Sequence, residues 1–462
     1  MPFPSVVDAP GLQITTSRVR HSPSAGSNPL ALVLPAFLLT RAVIFFAATT
    51  ATDSQVYYQY GVAARVASVD SLYRSYDAEY PQLAVVFAAS VGWFADALPT
   101  GAERLIGARP GVPTNPGLAR FQVALGLVLF SIDAGLFLLV LHRAKQLDPG
   151  DPRTQTWRLG IYVAGTAALG PILYDRLDLL VGAIAAVALL AFSTGRSKLA
   201  YVLLTVGVGI KLVTAVLLPV FVLATAVRRG GRFWPTAIRE TAIALAIFAA
   251  WPVLAFAFGG GERAFVYLNY HSARGVELGS AYAAPLLFIA PDMDVGYAFG
   301  GYVVRGSTAD AVARFSVAIT LVVVGLAIVM AVRGASRAAP ADRVSEVASG
   351  CVLVWLAFIL TNKVGSPQYL LWVAPLVPFL PMRSRSERAW ALGFVAASLL
   401  ATLTYPYLWP SVHGLPIPDT EETWAGPTTL GFALLFARWG AIAILTGWLF
   451  VRALRTPAGV PA

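Results

Sequence analysis

The sequence has little charge and almost no cysteine or histidine. Only 13% of its 462 residues are charged and 57% are hydrophobic, whereas a soluble domain carries about 25% charged residues. The single cysteine, Cys351, excludes an intramolecular disulfide and a cysteine metal cluster, and the four histidines lack the spacing of a zinc site. The sequence also lacks a P-loop, a G-x-G-x-x-G motif after a strand, an H-E-x-x-H motif and a G-x-S-x-G elbow. Nucleotide chemistry is therefore without support, and the composition indicates a polytopic membrane protein.

Long apolar runs recur along the chain. A membrane-spanning helix needs about 20 apolar residues. The candidate runs lie near 29–51, 117–141, 158–174, 177–193, 198–227, 237–258, 311–332, 348–362, 366–382, 389–409 and 428–452. No internal repeat at a fixed spacing accompanies them.

Basic loops between these runs orient the chain. The net charge of +10 comes mostly from Lys and Arg in short loops, so the positive-inside rule explains it better than nucleic-acid binding does. The basic clusters, placed in the cytoplasm, lie at 142–158, 196–198, 228–239, 333–343, 383–388 and 452–455. Run 198–227 then begins and ends inside and must turn near Lys211, and 82–98 is expected to be a membrane-edge or re-entrant helix. The alternative is that 82–98 spans the membrane and that one of the weaker loops is assigned to the wrong side.

These assignments predict an all-α polytopic protein of the cell membrane with about 12 transmembrane helices (11–13) and both termini in the cytoplasm. The expected organisation is a disordered tail over 1–28, a single transmembrane domain over 29–455 and a short cytoplasmic tail over 456–462. Two large loops fall on the outer face: 52–116, with membrane-edge helices, and 259–310.

The unusual polar residues collect in the loops that this topology places outside. Charges at membrane depth are costly and are usually functional. The set is Asp53, Glu79, Asp175, Arg176, Asp178, Lys211, His271, Arg274, Glu277, Asn362, Lys363 and Gln368. Their convergence from several separate loops predicts one outer-face active site.

Several of these residues also have a structural interpretation. Asp53, near the end of the first span, is either a carboxylate with a raised pKa that serves as a base or an acid that only marks the interface. Lys211 is either a phosphate-binding cation or a snorkelling lysine. Asp178 could be a helix cap, and Arg41, inside the first span, must face protein or pair with an acid.

Several segments, taken in order, resemble glycosyltransferase family 87, the polyprenyl-phosphate-mannose-dependent mannosyltransferases of the GT-C superfamily. They are Asp53 with Tyr57-Tyr58, Glu79-Tyr80-Pro81-Gln82-Leu83, Arg176-Leu177-Asp178-Leu179-Leu180, Ile210-Lys211-Leu212 with Leu218-Pro219, the Tyr270-His271 to Ser280 loop, and the segment from Lys363 to Trp372. The family usually has Pro-Pro at Pro81-Gln82 and often Tyr-Pro at Val213-Thr214. The resemblance covers about residues 30–375.

The resemblance implies a GT-C fold and an inverting transfer of mannose from a polyprenyl-phosphate donor to a lipid-linked glycan or glycolipid acceptor. Asp53 would be the general base. The donor phosphate would be bound by Arg274, Lys211, His271, Lys363 and Arg176. The sugar and acceptor would be bound by Glu79, Tyr80, Asp178, Tyr57, Tyr58, Glu277 and Gln368. No cofactor or metal is expected to be obligatory, because the acids are not clustered for one, although a Mg²⁺ or Mn²⁺ dependence stays open.

Two alternatives remain at the level of sequence. Another GT-C enzyme could transfer arabinofuranose or glucose, and the sequence does not discriminate between these sugars. A transporter or lipid flippase would instead distribute polar residues on both sides of the midplane and show repeat symmetry. The acceptor, the linkage formed and the oligomeric state are not specified by the sequence.

Overall fold

A computed structural model of the protein describes residues 28–47, 54–75, 78–107, 115–290, 293–414 and 427–455. The predicted tails and Asp53 lie outside these ranges, apart from Asn28. In the first half, the α-helices are α1 (Pro29–Ala47), α2 (Ser54–Val66), α3 (Val69–Ser75), α4 (Gln82–Ala97), α5 (Pro116–Leu147), α6 (Pro152–Ala168), α7 (Ile172–Asp175), α8 (Asp178–Ser193), α9 (Ser197–Ile210) and α10 (Leu218–Arg229).

The second half is also mostly helical. Its α-helices are α11 (Phe233–Phe258), α12 (Val266–Ala273), α13 (Ala283–Ile289), α14 (Ser307–Arg337), α15 (Arg343–Thr361), α16 (Leu370–Val373), α17 (Arg385–Thr402), α18 (Trp409–His413) and α19 (Thr429–Arg455). Short 3₁₀ segments lie at Ala102–Ile106, Leu212–Leu217, Gly261–Phe265, Pro367–Tyr369 and Val377–Phe379, and a π-helical turn at Leu403–Tyr407.

Eight helical segments of the described ranges are long and apolar enough to span a membrane. They are α1, α5, α10 with the 3₁₀ turn before it, α11, α14, α15, α17 with its π-helical turn, and α19. In the most apolar stretch of α11, and likewise of α14, only 17% of the residues are buried, whereas 83% are buried in the corresponding stretch of α15. The chain is therefore a mainly α-helical polytopic membrane protein, with α15 in the centre and α11 and α14 at the periphery.

Capping residues fix the start of several helices. Asn115 accepts hydrogen bonds from the first turn of α5, and Asp151 accepts one from Thr154 in α6; in each case proline follows at the first helical position. At α17, Ser384 and Glu387 form a reciprocal capping box. Each device satisfies backbone N–H groups that have no partner within the helix.

Two apolar runs are interrupted, one as predicted and one not. Run 198–227 breaks at Lys211, whose extended backbone ends α9, as the basic flanks required. Run 366–382 was expected to be a span, but it forms three short helical pieces that are almost entirely buried. Prolines 367, 375, 378 and 381 explain the difference, since proline cannot donate to the helical ladder and disfavours a helical residue before it.

A small antiparallel sheet lies in the second large loop and was not predicted. Its strands are β1 (Val276–Glu277), β2 (Val295–Ala298) and β3 (Gly301–Val304), in the order β1–β3–β2. The two residues Phe299 and Gly300 join β2 to β3, and both have positive φ. The sheet packs on α13 and the start of α14 through a separate apolar cluster.

The basic loops lie together at one end of the bundle. Arg158 in α6 pairs with Asp148 at 2.5 Å and donates to the carbonyls of Pro378 and Leu380. Further contacts join Arg388 to Thr154, Arg383 to Asp342, and Arg452 to Glu346 and Glu387. Four of the six basic clusters are thus linked directly, as their common sidedness requires.

Arg41 in α1 is paired with an acid, as expected for a charge inside a span. Its Nε donates to Asp133 Oδ2 at 2.8 Å, and both side chains are buried. Tyr162 and Tyr174 donate to the same carboxylate at 2.5 and 2.7 Å. The network joins α1, α5, α6 and α7, and it accounts for Arg41 structurally.

Candidate active site

A polar cavity of about 410 Å³ brings together most of the predicted site residues. Its lining comes from α2 (Gln55, Val56 and Gln59), the turn 79–81, Arg176, residues 211–212, His271, Arg274 and Glu277, residues 297 and 299–302 of the hairpin, residues 364 and 366–369, and Tyr405 with Trp409. These segments are far apart in sequence, yet they line one cavity. The fold therefore brings together most of the residues whose convergence was predicted from the loops.

Lys211 is held by one buried acid and three aromatic rings. Its Nζ donates to Asp178 Oδ1 at 2.7 Å and lies 5.3 to 5.9 Å from the ring centroids of Tyr80, Tyr369 and Trp372. Asp178 is fully buried, also accepts from Trp372 Nε1 at 2.5 Å, and does not itself line the cavity. Asp178 therefore orients Lys211, and the predicted contact of Asp178 with a sugar is not available in this arrangement.

Arg274 follows the end of α12 and is mostly buried. Its Nη2 lies 3.5 Å from Glu277 Oε1, and its Nε has no hydrogen-bond partner among the described residues. Burial works against its charge, but Glu277 and the neighbouring acidic groups outweigh that effect and raise the pKa of Arg274. A charged guanidinium with an unused buried donor is suited to an anionic ligand.

Glu277 and Arg438 hold the loop 362–366 from two sides. Gly365 donates its backbone N–H to Glu277 Oε2 at 2.9 Å, and its carbonyl accepts from Arg438 Nη2 at 2.6 Å. A Cβ on Gly365 would lie 2.4 Å from Ser280 Cα, so only glycine permits this close approach. Arg438 is a buried arginine of α19 that the sequence analysis did not select; its position inside an apolar run was the available signal.

His271 and Tyr270 adjoin Glu79. The His271 ring reaches the cavity, but partial desolvation, with the positive charges of Arg274 and Lys211, lowers the pKa of His271 to about 4. Burial and the Glu79 carboxylate raise the pKa of Tyr270, which keeps its phenol protonated. At neutral pH, His271 is therefore an uncharged hydrogen-bonding group, unlike the lysines and arginines with which the resemblance groups it for binding the donor phosphate.

Arg176 is buried at the edge of the cavity beside Tyr405. Its Nη2 donates to the Tyr405 hydroxyl at 3.4 Å, and its guanidinium carbon lies 5.7 Å from the centroid of the same ring. Burial lowers the pKa of Arg176. Arg176 thus lines the cavity together with Tyr405.

No family model matches this chain, and no curated protein matches it. The likeness to glycosyltransferase family 87 continues to rest on the segments given above.

Three further predicted residues lie in or directly behind the cavity wall. Tyr80 and Gln368 line it. Gln368 is mostly buried and accepts a hydrogen bond from Ser366. Tyr57 is buried behind the lining, with its hydroxyl 3.4 Å from that of Tyr80, so it supports Tyr80 without reaching the cavity.

Two further predicted residues, Tyr58 and Lys363, lie neither in the lining nor directly behind it. Tyr58 points to the other side of α2, where its ring packs on Phe121 with centroids 5.6 Å apart and lines a separate small cavity. Lys363 donates to the Ser272 carbonyl at 3.0 Å and joins α12 to the loop after α15. Each is the direct sequence neighbour of a lining residue, Gln59 and Val364 respectively. Asp53 lies outside the described residues.

The described lining is not uniformly positive. It contains three cations, Arg176, Lys211 and Arg274, and two carboxylates, Glu79 and Glu277, and Lys211 is already paired with Asp178 behind it. An anion would therefore be bound by directed hydrogen bonds more than by net charge. No group of three His, Cys, Asp or Glu side chains in the described ranges is arranged to hold a metal ion.

Proposed function

We propose that the protein is a membrane glycosyltransferase of the GT-C fold, with about 12 spans, that transfers a sugar, mannose first among the candidates, from a polyprenyl-phosphate donor to a glycan or glycolipid on the outer face of the membrane. The observation that carries the proposal is the cavity in which Arg274, Arg176 and Lys211 meet the carboxylates Glu79 and Glu277. These five side chains belong to segments that lie away from the linked basic loops.

The reaction needs a base and a stabilised leaving group. The acceptor hydroxyl attacks the anomeric carbon, its proton passes to the base, and the bond between that carbon and the phosphate oxygen breaks with inversion. Polyprenyl phosphate departs with the bonding electrons, so hydrogen-bond donors at its oxygens lower the barrier. Arg274 supplies an unused buried Nε–H for this purpose, and Arg176 supplies a second guanidinium.

The resemblance assigns the base to Asp53. In the chain it stands two residues before Gln55, which lines the cavity. Glu79 is the carboxylate in the described lining that adjoins His271 and Tyr270, and we assign it to sugar hydroxyls. His271 donates as a neutral imidazole, and no metal is part of the proposed mechanism.

The direct test is transfer by the purified protein. Polyprenyl-phosphate mannose, arabinose and glucose are offered in turn with membrane lipid extracts as acceptors, and transfer from the mannose donor is expected. Transfer of another sugar would correct the donor. Loss of donor from the outer leaflet of vesicles without any glycosylated product would favour a flippase.

The Asp53→Asn variant tests the base. Removing a general base typically lowers the rate by about 10²–10⁴-fold, and we expect that loss with protein yield and donor binding near normal. The matched variant Glu79→Gln should retain more activity than Asp53→Asn. It should raise the KM for the substrate whose sugar hydroxyls Glu79 binds. Full activity of Asp53→Asn would contradict the assignment.

The Arg274→Gln variant tests phosphate binding. We expect weaker binding of polyprenyl phosphate and lower kcat, with partial recovery in Arg274→Lys, because lysine keeps the charge but loses the planar fork. Arg74 is an exposed arginine of α3 that pairs with Asp70 at 2.7 Å, so Arg74→Gln is the matched control. Equal losses in the two Gln variants would show that charge in general, and not this site, binds the donor.

A further inference from the structure

Much of the cavity lining is aromatic and has no role in the mechanism above. Tyr297, Phe299 and Tyr302 come from β2, β3 and their turn, and Tyr405 and Trp409 come from the segment after α17. Four of the five are half-buried, and Tyr297 is 65% exposed. Each ring is thus anchored by protein while part of its surface stays open.

Four of these rings form one connected set. The ring centroids of Tyr297 and Tyr302 are 5.3 Å apart, those of Tyr302 and Trp409 6.0 Å, and those of Trp409 and Tyr405 5.5 Å. Tyr405 in turn contacts Arg176. The rings therefore run as a continuous wall from the hairpin to one of the cavity's cations, a wall wide enough for more than one small ring.

Phe299 is held in an unusual backbone conformation. Its φ is +53° and that of Gly300 is +69°, as a tight two-residue hairpin turn requires, and such turns favour Asn-Gly. A bulky residue with positive φ is an outlier, and strained residues cluster at functional sites. At this turn the ring of Phe299 lies 5.3 Å from that of Tyr270, at the cavity.

Neutral polar groups lie beside the aromatic wall, which comprises these four rings and Phe299. Gln55 and Gln59 are four residues apart on α2, and both are exposed in the cavity lining; residues at this spacing share one helix face. Each amide offers a donor and an acceptor. Aromatic faces match the C–H face of a pyranose, and neutral amides match its hydroxyl edge.

We infer that the aromatic wall, defined by Tyr297, Phe299, Tyr302, Tyr405 and Trp409, together with Gln55 and Gln59 is a saccharide subsite that binds the sugar rings of the acceptor. The inference rests on the proposed function in taking this cavity as the place of transfer. The wall adjoins Arg176, which places the acceptor beside the donor phosphate.

The test measures saccharide binding separately from donor binding. Full-length protein in nanodiscs is titrated with mannotriose and with maltotriose, and the binding of each trisaccharide is followed by saturation-transfer NMR. The same protein is titrated separately with polyprenyl phosphate. Phe299→Leu and Trp409→Leu keep apolar bulk but remove the ring; we expect about three- to tenfold weaker trisaccharide binding and unchanged polyprenyl phosphate binding. Trp409→Phe should restore most of the affinity.

The control is Phe288→Leu, because Phe288 is a 71% exposed aromatic of α13 outside the cavity lining. It should bind both trisaccharides like the unaltered protein. The inference is overturned if the unaltered protein binds neither trisaccharide, or if the wall variants and the control behave alike. Trisaccharide binding without any sugar transfer would contradict the proposed function alone.

Discussion

His271 differs from the other basic side chains of the cavity in being uncharged at neutral pH. Its free imidazole would titrate near pH 6.5, but partial desolvation and the cations Arg274 and Lys211 lower its pKa to about 4. The negative charge of a phosphate bound nearby would offset the effect of the two cations and raise the pKa of His271. His271 therefore reports on anion binding through its own titration.

The pKa of His271 gives a prediction for stability. Between about pH 6.5 and pH 4 the unfolded chain binds more protons at this residue than the folded protein does, so the protein should become less stable as the pH falls through that window. His271→Gln should flatten the dependence in thermal unfolding in detergent. NMR titration should show the pKa rise when polyprenyl phosphate is added; an imidazole that titrates near 6.5 in the free protein would contradict this account.

The sequence predicted which residues converge but not which ones pair. Lys211 and Arg176 stood out because a charge at membrane depth needs a reason. Their partners depend on tertiary contacts over 33 and 229 residues, Lys211 with Asp178 and Arg176 with Tyr405. Local patterns carry no information at such separations, and Tyr405 was therefore overlooked.

Close packing between α8 and the broken segment 366–382 depends on one glycine. A Cβ on Gly182 would lie 2.4 Å from the Leu371 carbonyl oxygen and 2.8 Å from Pro375 Cγ. The contact places the start of α8, with Asp178, against Trp372. The support of Lys211 thus depends on how closely these two elements approach.

Gly182→Ala should destabilise the protein by about 1–3 kcal/mol, because backbone atoms must move to admit the methyl group. The matched control is Gly160→Ala in α6, where nothing lies within 4 Å of the added Cβ; there alanine should be neutral or stabilise by up to about 1 kcal/mol. Melting temperatures in detergent compare the two. Equal shifts would show that the α8 contact is looser than described.

At the scale of elements, sequence reasoning succeeded where charge acted locally. The break at Lys211 followed from basic residues at both ends of one run. The hairpin of β2 and β3 was missed although its signal was present, since alternating residues around Phe299-Gly300-Gly301 are typical of a tight turn. The broken segment 366–382 was taken for a span because its composition is apolar, while its prolines were given no weight.

The molecule has two chemically distinct ends. One holds the linked basic loops around Arg158, Arg383 and Arg452, and the other holds the cavity. The positive-inside rule predicts that the first faces the cytoplasm. Composition was sufficient to predict a polytopic membrane protein, but the number of spans depends on short helices such as α4, α8 and α9, whose length alone does not decide whether they cross.

Cysteine labelling can test the orientation directly. Cys351 is fully buried and burial holds its thiol away from reagents, so the unaltered protein should stay unlabelled. A membrane-impermeant maleimide applied to intact cells should label Glu262→Cys, in the second large loop, and not Ser386→Cys, at the start of α17. Both are exposed, so both should react after permeabilisation. The reverse pattern in intact cells would invert the topology.

The length of α14 links the site to the membrane around it. Its 31 residues extend about 46 Å at 1.5 Å per residue, well beyond a hydrocarbon core of about 30 Å, so the helix must tilt or protrude. Strand β3 ends at Val304, three residues before α14 begins. We expect a thinner or thicker bilayer to change the inclination of α14 and, because β3 leads directly into this helix, to change the width of the cavity beside Phe299.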